Sequence, residues 1–290
     1  TKCKSTFNYR VYKNPIMSTS TSELKYATAA SGPLAQMAEM DHEQVLFCND
    51  PDTGLRAIIA VHNTVLGPSL GGTRMWPYKN EAEALTDVLR LSRGMTFKSA
   101  ISGLNLGGGK AVIIGDPHKD KSEAMMRRFG QFVESLNGKY ITAEDVGITT
   151  DDIEQVAEET SHVSGMPESR GGSGDPSPVT AYGVYMGMKA SAKFAFGSDS
   201  LEGKRIMVQG AGHVGYNLVK LISAEGAKVM VSDIYEARLK EVSKDFKVEI
   251  IDPNEVYDQA MDIYAPCALG ATINDDTLAR LRCKVISGAA

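Results

Sequence analysis

Apolar positions along the chain fall into two rhythms. From Leu55, the segment LRAIIAVH places Leu55, Ala57, Ile59 and Val61 on one side, the period-two pattern of a half-buried strand. The rhythm then lengthens. Asn80 and Glu83 read as a capping box opening a helix, NEAEALTDVLRLSRG, with Leu85, Val88, Leu89 and Leu91 turned inward. A short β-branched run at 111–114 predicts a buried strand. In DKSEAMMRRFGQFVESLNG, Met125, Phe129, Phe132, Val133 and Leu136 share one helical face, with Gly138 expected at the C-cap. KYITAEDVG reads as a strand ending in acids, followed by a helix near 151–160.

The pattern breaks at 170–178, RGGSGDPSP, whose glycines and prolines mark a hinge. Past it, a helix (PVTAYGVYMGMKASAKFAF) leads into strands expected at 205–209, 228–232, 248–251, 262–265 and 284–287. Strands separated by helical segments imply parallel β-α-β winding, because parallel neighbours need long crossovers. The first half alternates too, so the fold expected is α/β in two domains, 33–169 and 170–290. Residues 1–32 are polar and Ser/Thr-rich with no apolar stretch, and are expected to form a disordered tail with Met17 as the true start. Lys2, Lys4, Arg10 and Lys13 all precede the first acid, Glu23, which keeps a transit peptide as the alternative. The final CKVISGAA stops directly after an expected strand and reads as an interrupted domain.

Composition narrows the function class. The 290 residues are 42% hydrophobic and 23% charged with a net charge of -5, enough apolar material for a large core. The acidic balance argues against nucleic acid or an anionic membrane as partner. No apolar run approaches the roughly 18 residues of a membrane span. Cys3, Cys48, Cys267 and Cys283 form no CxxC pair, which fits buried thiols in a reducing cytoplasm. The absence of HExxH and of other ligand spacing argues against a protein-bound catalytic metal.

Two segments carry chemistry. In KRIMVQGAGHVGYNLVKLISAEGAKVMVSD, Gly210, Gly212 and Gly215 follow a strand and open an amphipathic helix. The first glycine permits a tight turn, the second lets backbone approach a pyrophosphate, and the third lets helix and strand pack closely. Free N–H groups at the helix start favour phosphate. Asp233, 23 residues after Gly210, is placed for the ribose hydroxyls and would repel a 2′-phosphate, favouring NAD. A doubly wound dinucleotide-binding domain follows.

The other segment is GLNLGGGKAVIIGD, residues 103–116. It is no P-loop, since Leu104 stands where the first glycine belongs and Ala111 follows the lysine. Lys98 lies twelve residues before Lys110 in GMTFKSA. Desolvation and like charge would both disfavour the ammonium, tuning a lysine toward general-base work. Glu144 and Asp145 sit at a strand end, where ligand sites gather in open α/β sheets.

The segments GPSLGGTRMW, GMTFKSAISGLNLGGGKAVIIGDP, ITAEDVG, GDPSPVTAYGVY, QGAGHVG and DIYAPCALGATIND, in order over residues 39–290, resemble the Glu/Leu/Phe/Val dehydrogenase family, particularly its leucine-specific members. The resemblance implies an NAD(P)-dependent oxidative deaminase with two α/β domains about a cleft, acting as a homo-oligomer. It implies that Lys98 binds the substrate carboxylate, that Lys110 activates water and that Asp145 moves protons at the substrate nitrogen. Leu70, Gly71 and Ala143 would line the side-chain pocket. Thr180 and the loop from Gly210 through His213 and Val214 to Gly215 would contact the cofactor, with Asp233 at its ribose and Cys267 and Ala268 on the nicotinamide side. The glycine triplet would let backbone pass close to the reacting carbon. An apolar Leu70, where glutamate-specific relatives carry lysine, favours a branched aliphatic amino acid with its 2-oxo acid and ammonium. His213 departs from the family's small residue or asparagine. The family continues past residue 290, so this chain is expected to bind NAD weakly and turn over slowly. Valine or phenylalanine dehydrogenase, another two-domain oxidoreductase, and a silent NAD-binding module are the alternatives.

Overall fold

The computed structural model describes residues 32–290 apart from Ala271, so expectations placed on residues 1–31 lie outside it. The chain opens with α1 (Pro33–Glu39), β1 (Gln44–Asp50), β2 (Leu55–Asn63), β3 (Ser69–Trp76), α2 (Glu81–Ile101) and β4 (Gly107–Ile114). It continues through α3 (Glu123–Glu134), β5 (Tyr140–Ala143) and α4 (Thr150–Ala157). These strands form one sheet in the order β1-β2-β4-β3-β5. β3 runs parallel to β4 and β5, but β2 is antiparallel to both β1 and β4. The sheet is therefore mixed, within the α/β class expected of this half. Its first two strands are joined by a tight turn that makes antiparallel pairing the short connection.

β2 is buried on both faces, a correction to its half-buried pattern. Leu55, Ala57, Ile59 and Val61 pack with Met126 and Phe129 of α3, while Ile58 and Ala60 meet Leu85, Val88 and Leu89 of α2. A strand covered by helices on both sides needs no polar face. The N-cap of α2 is Asn80, whose side chain accepts from the Glu83 N–H at 2.9 Å, while Glu83 accepts from the Lys79 N–H rather than closing the box on Asn80. The helix then runs past its expected end at Gly94 to Ile101. An interior glycine costs about 1 kcal/mol, and Gly94 faces open space, so packing elsewhere on α2 outweighs it. α3 stops earlier than expected, capped by Ser135, and the reversal into β5 uses positive φ at Asn137 and Gly138.

Beyond residue 170 come α5 (Ser177–Phe196), β6 (Arg205–Gln209), α6 (His213–Ala224), β7 (Lys228–Ser232), α7 (Glu236–Asp245), β8 (Glu249–Ile250), β9 (Ile263–Pro266), α8 (Asp275–Leu278) and β10 (Val285–Ile286). Their strands form a second, all-parallel sheet in the order β10-β9-β6-β7-β8. Met188, Val208, Leu218, Val219, Ile222, Val231 and Ile263 are fully buried in its core. Each such side chain contributes about 1.5–3 kcal/mol over its exposed state.

Candidate active site

The triplet Gly107-Gly108-Gly109 forms the first half of β4 rather than a bend before it. Its glycines answer to protein neighbours. A Cβ on Gly107 would lie 1.9 Å from the Asn63 carbonyl oxygen, and one on Gly108 2.1 Å from the Thr96 nitrogen of α2. The expected close approach is real, and the neighbours that require it at Gly107 and Gly108 are the adjoining strand and α2. Gly71 on β3 is under the same demand, because its Cβ would stand 1.7 Å from the Gly109 oxygen.

Lys110, the next residue of β4, is buried, and its Nζ lies 2.8 Å from Asp145 Oδ2. Asp145 is set by a turn after β5. Ile148 donates its N–H to the Asp145 carbonyl at 2.9 Å, and Met75 of β3 donates to Val146 at 2.9 Å. Gly147 makes the turn with φ +81°, and a Cβ there would meet the Met75 oxygen at 2.3 Å. Arg74 of β3 donates from Nε to Asp145 Oδ2 at 3.1 Å and from Nη1 to Asp87 Oδ2 at 2.9 Å. The Tyr78 hydroxyl donates to the same Asp87 oxygen at 2.7 Å.

Burial is the largest influence on Lys110 and pushes its ammonium down; Asp145 opposes this, while Arg74 and Lys98 add to it. Burial pushes Asp145 the other way, but Lys110 and Arg74 outweigh it and hold the carboxyl below its usual range. The pair therefore keeps an anionic aspartate beside a lysine inclined to lose its proton. Burial and then Asp175 push the neighbouring Glu144 up to about 7.

Lys98 lies in the last turn of α2 with its side chain exposed and its field reaching Lys110. Leu70, Gly71 and Ala143 occupy adjacent register positions, with Leu70 opposite Ile141, Gly71 opposite Thr142 and Gly72 opposite Ala143. Leu70, Gly71, Ala143 and Lys110 thus lie on one sheet, Asp145 on the turn after β5, and Lys98 on the helix packed against that sheet. Sequence reasoning missed Arg74, Asp87 and Tyr78. The strand carrying Arg74 was not anticipated, and one arginine in LGGTRMW gives no signal of two carboxylate partners.

The glycine turn lies at the end of β6. Gly210 has φ +103°, and its Cβ would stand 2.6 Å from the Ala268 nitrogen. A Cβ on Gly215 would meet the Gly210 oxygen at 1.9 Å, the close helix–strand packing expected of the third glycine. Gly212 is the N-cap of α6, and among the described residues the only atom within 4 Å of its Cβ position is an Arg238 nitrogen at 3.8 Å. The middle glycine thus leaves room for a ligand, as a pyrophosphate requires.

Asp233 Oδ2 accepts the Ala211 N–H at 2.7 Å, tying the end of β7 to the glycine turn. Arg238 stands 3.7 Å from that oxygen. His213 opens α6 with Nδ1 3.3 Å from Asp175 Oδ2, so the residue that departs from the family pattern has a partner in the hinge segment. Val214 packs partly into the second core, and Thr180 is exposed in the first turn of α5. Cys267 donates its N–H to Gln209 at 2.7 Å, and burial pushes its thiol up, away from nucleophilic use. The residues present fit a dinucleotide.

A parallel sheet with this glycine turn, beside a mixed sheet holding a buried lysine–aspartate pair, defines a nucleotide-dependent dehydrogenase. Residues 42–162 match the Glu/Leu/Phe/Val dehydrogenase dimerisation domain, and residues 171–237 match the Glutamate/Leucine/Phenylalanine/Valine dehydrogenase domain. The chain is 59% identical over 254 residues to the leucine dehydrogenase of Bacillus subtilis (strain 168), spanning 88% of this chain and 70% of that protein. It is 51% identical over 255 residues to the phenylalanine dehydrogenase of Lysinibacillus sphaericus, spanning 86% and 67%. The crystal structure of L-tryptophan dehydrogenase from Nostoc punctiforme superposes with a TM-score of 0.66 at 43% identity, covering 89% of this chain and 73% of that one. A hetero-hexameric glutamate dehydrogenase from Thermus thermophilus, at 22% identity and TM-score 0.74 over 88% and 68%, shares the fold. The chain belongs to the Glu/Leu/Phe/Val dehydrogenase family and is an amino acid dehydrogenase. No helix among the described residues is long and apolar enough to cross a membrane.

Proposed function

We propose that the chain catalyses the reversible, NAD-dependent oxidative deamination of a branched-chain L-amino acid (leucine, valine or isoleucine) to its 2-oxo acid and ammonium. Residues 33–169 would bind the substrate and residues 170–290 the cofactor, in a cytoplasmic homo-oligomer. The observation that carries the reading is the 2.8 Å contact between buried Lys110 and Asp145 in a chain 59% identical to a leucine dehydrogenase. Lys98 takes the substrate carboxylate as a point charge. Asp145 accepts a proton from the substrate ammonium, freeing the amine. Bound NAD supplies a two-electron acceptor for the hydride on the α-carbon. Lys110, inclined to the free base by burial, takes a proton from water as it adds to the resulting imine, and Asp145 returns a proton to the departing nitrogen.

Thr180, Gly210, Gly212, His213, Val214, Gly215, Cys267 and Ala268 would hold the cofactor, and the Asp233 carboxylate at the ribose end favours NAD over its 2′-phosphorylated form. Leu70 offers a glutamate side chain no cation, and an unpaired buried carboxylate costs on the order of several kcal/mol.

The test is initial-rate deamination with L-leucine, L-valine, L-isoleucine, L-phenylalanine and L-glutamate, using NAD and NADP in turn. Branched aliphatic substrates with NAD are expected to give the highest kcat/KM, and Lys110→Ala to lower kcat by about 10²-fold or more. Faster turnover of glutamate, a preference for NADP, or full activity in Lys110→Ala would refute the reading.

A further inference from the structure

Lys110 and Asp145 do not stand alone. One guanidinium reaches two carboxylates on different elements: Arg74 Nε lies 3.1 Å from Asp145 and its Nη1 2.9 Å from Asp87 of α2. Asp87 is steadied in turn by the Tyr78 hydroxyl at 2.7 Å. The side chains of Arg74, Asp87 and Asp145 keep only 18%, 21% and 25% of their exposure, so these contacts are weakly screened. We propose that Arg74 is a positioning residue for the proton-transfer pair, holding Asp145 against Lys110 and supplying the second cation that sets the charge of the pair. The inference rests on the roles of Lys110 and Asp145 proposed above.

Counting charges gives its content. Lys110 is faced by Asp145 from the turn after β5, by Arg74 from β3 and by Lys98 from α2. Asp145 is faced by Lys110 and Arg74, with Glu144 beside it in the chain and the Tyr140 phenol also within its field. With both aspartates ionised, a protonated Lys110 and Arg74 make a neutral cluster. Arg74 stays charged at every working pH, so with the Val146 N–H it still holds Asp145 anionic once Lys110 has given up its proton. An arginine is needed because its planar fork serves two acceptors at fixed angles, which a lysine ammonium at one point cannot reproduce. Asp87 pulls the guanidinium toward α2 and partly neutralises it, so Asp87 and Arg74 act on Lys110 with opposite sign.

The experiment is the pH profile of kcat in the purified protein and in Arg74→Gln, Arg74→Lys, Asp87→Asn and Lys110→Ala, with circular dichroism to confirm folding. Removing the Arg74 cation makes Lys110 hold its proton more tightly, so the ascending limb in Arg74→Gln moves up by about one pH unit. Arg74→Lys restores the charge without the fork: its limb returns to within a few tenths of a unit of the parent, while kcat stays about tenfold low. Asp87→Asn leaves the cluster more positive and moves the limb down. A folded Arg74→Gln with an unmoved limb overturns the proposal, as does an equal displacement in Arg74→Lys. If Arg74→Gln fails to fold, Asp87→Asn decides: a downward move supports the proposal and an unmoved limb overturns it. Full activity in Lys110→Ala overturns the site reading and this inference together. Lost activity in Lys110→Ala with an unmoved limb in Arg74→Gln overturns only the role of Arg74.

Discussion

Asp145→Asn and Lys110→Met cut the same 2.8 Å contact from opposite sides, and their effects on stability should be unequal. Asp145→Asn leaves a nearly inaccessible amine, its side chain 7% exposed, without its carboxylate partner and beside an Arg74 cation that keeps only Asp87. Breaking a buried pair by removing one partner costs on the order of 3 kcal/mol, equivalent to a fall of roughly 6–12 °C in Tm for a chain this size. Lys110→Met removes the group whose burial was the burden. Asp145 keeps Arg74 at 3.1 Å, and a thioether fills much of the lysine stem's volume. The loss should stay below about 1 kcal/mol, while kcat falls by about 10²-fold or more.

Differential scanning calorimetry of both variants from pH 6 to 10 (about 6.5 to 10.4 being the span between ordinary histidine and lysine values) adds a second check. The folded-state pKa of Lys110 lies below its unfolded value, so the unfolded chain binds more protons between the two and stability rises with pH across that window. Asp145→Asn deepens the depression, so its deficit should shrink as pH rises toward about 10.4. Equal destabilisation by the two substitutions, or an Asp145→Asn deficit that is flat with pH, would refute the reasoning.

Two further outcomes follow from the geometry. Gly215→Ala puts a Cβ 1.9 Å from the Gly210 oxygen and forces α6 away from the turn; calorimetric titration with NADH should show at least about a tenfold loss of affinity, since the phosphate site is built on that packing. Gly183→Ala, on α5 with no atom of the described residues within 4 Å of the new carbon, should leave affinity unchanged. Glu144→Gln probes a carboxyl pushed up to about 7 by burial and Asp175. The folded protein holds that proton more tightly than the unfolded chain does, so wild-type stability declines between about pH 4.3 and 7. The Tm advantage of Glu144→Gln should grow across that interval and level off above it, and a constant difference would contradict the assignment.

The second half of the fold was legible because its signals agree: parallel strands, a glycine turn and an acid at the next strand end all describe one β-α-β unit. In the first half, glycine misled. Gly71 and Gly72 in GPSLGGTRMW argue against a strand by propensity, yet both lie in β3 because neighbouring backbone comes too close for a side chain. Gly94 misled in the same way about where α2 ends. Lys98, Lys110 and Asp145 were singled out because motif and strand-end position point to them, and the structure brings Lys110 and Asp145 into contact. Arg74 was not, because its significance lies in two partners 13 and 71 residues away in sequence. Such coincidence exists only once β3 is laid beside β4 and β5.

The seam between α2 and β4 joins the two lysine-bearing segments directly. Thr96 and Ser92 lie so close to the bare backbone of Gly108 that even a methyl there would collide with them. Lys98 and Lys110 are therefore anchored on either side of one close-packed joint, Lys98 two residues beyond Thr96 and Lys110 two residues beyond Gly108.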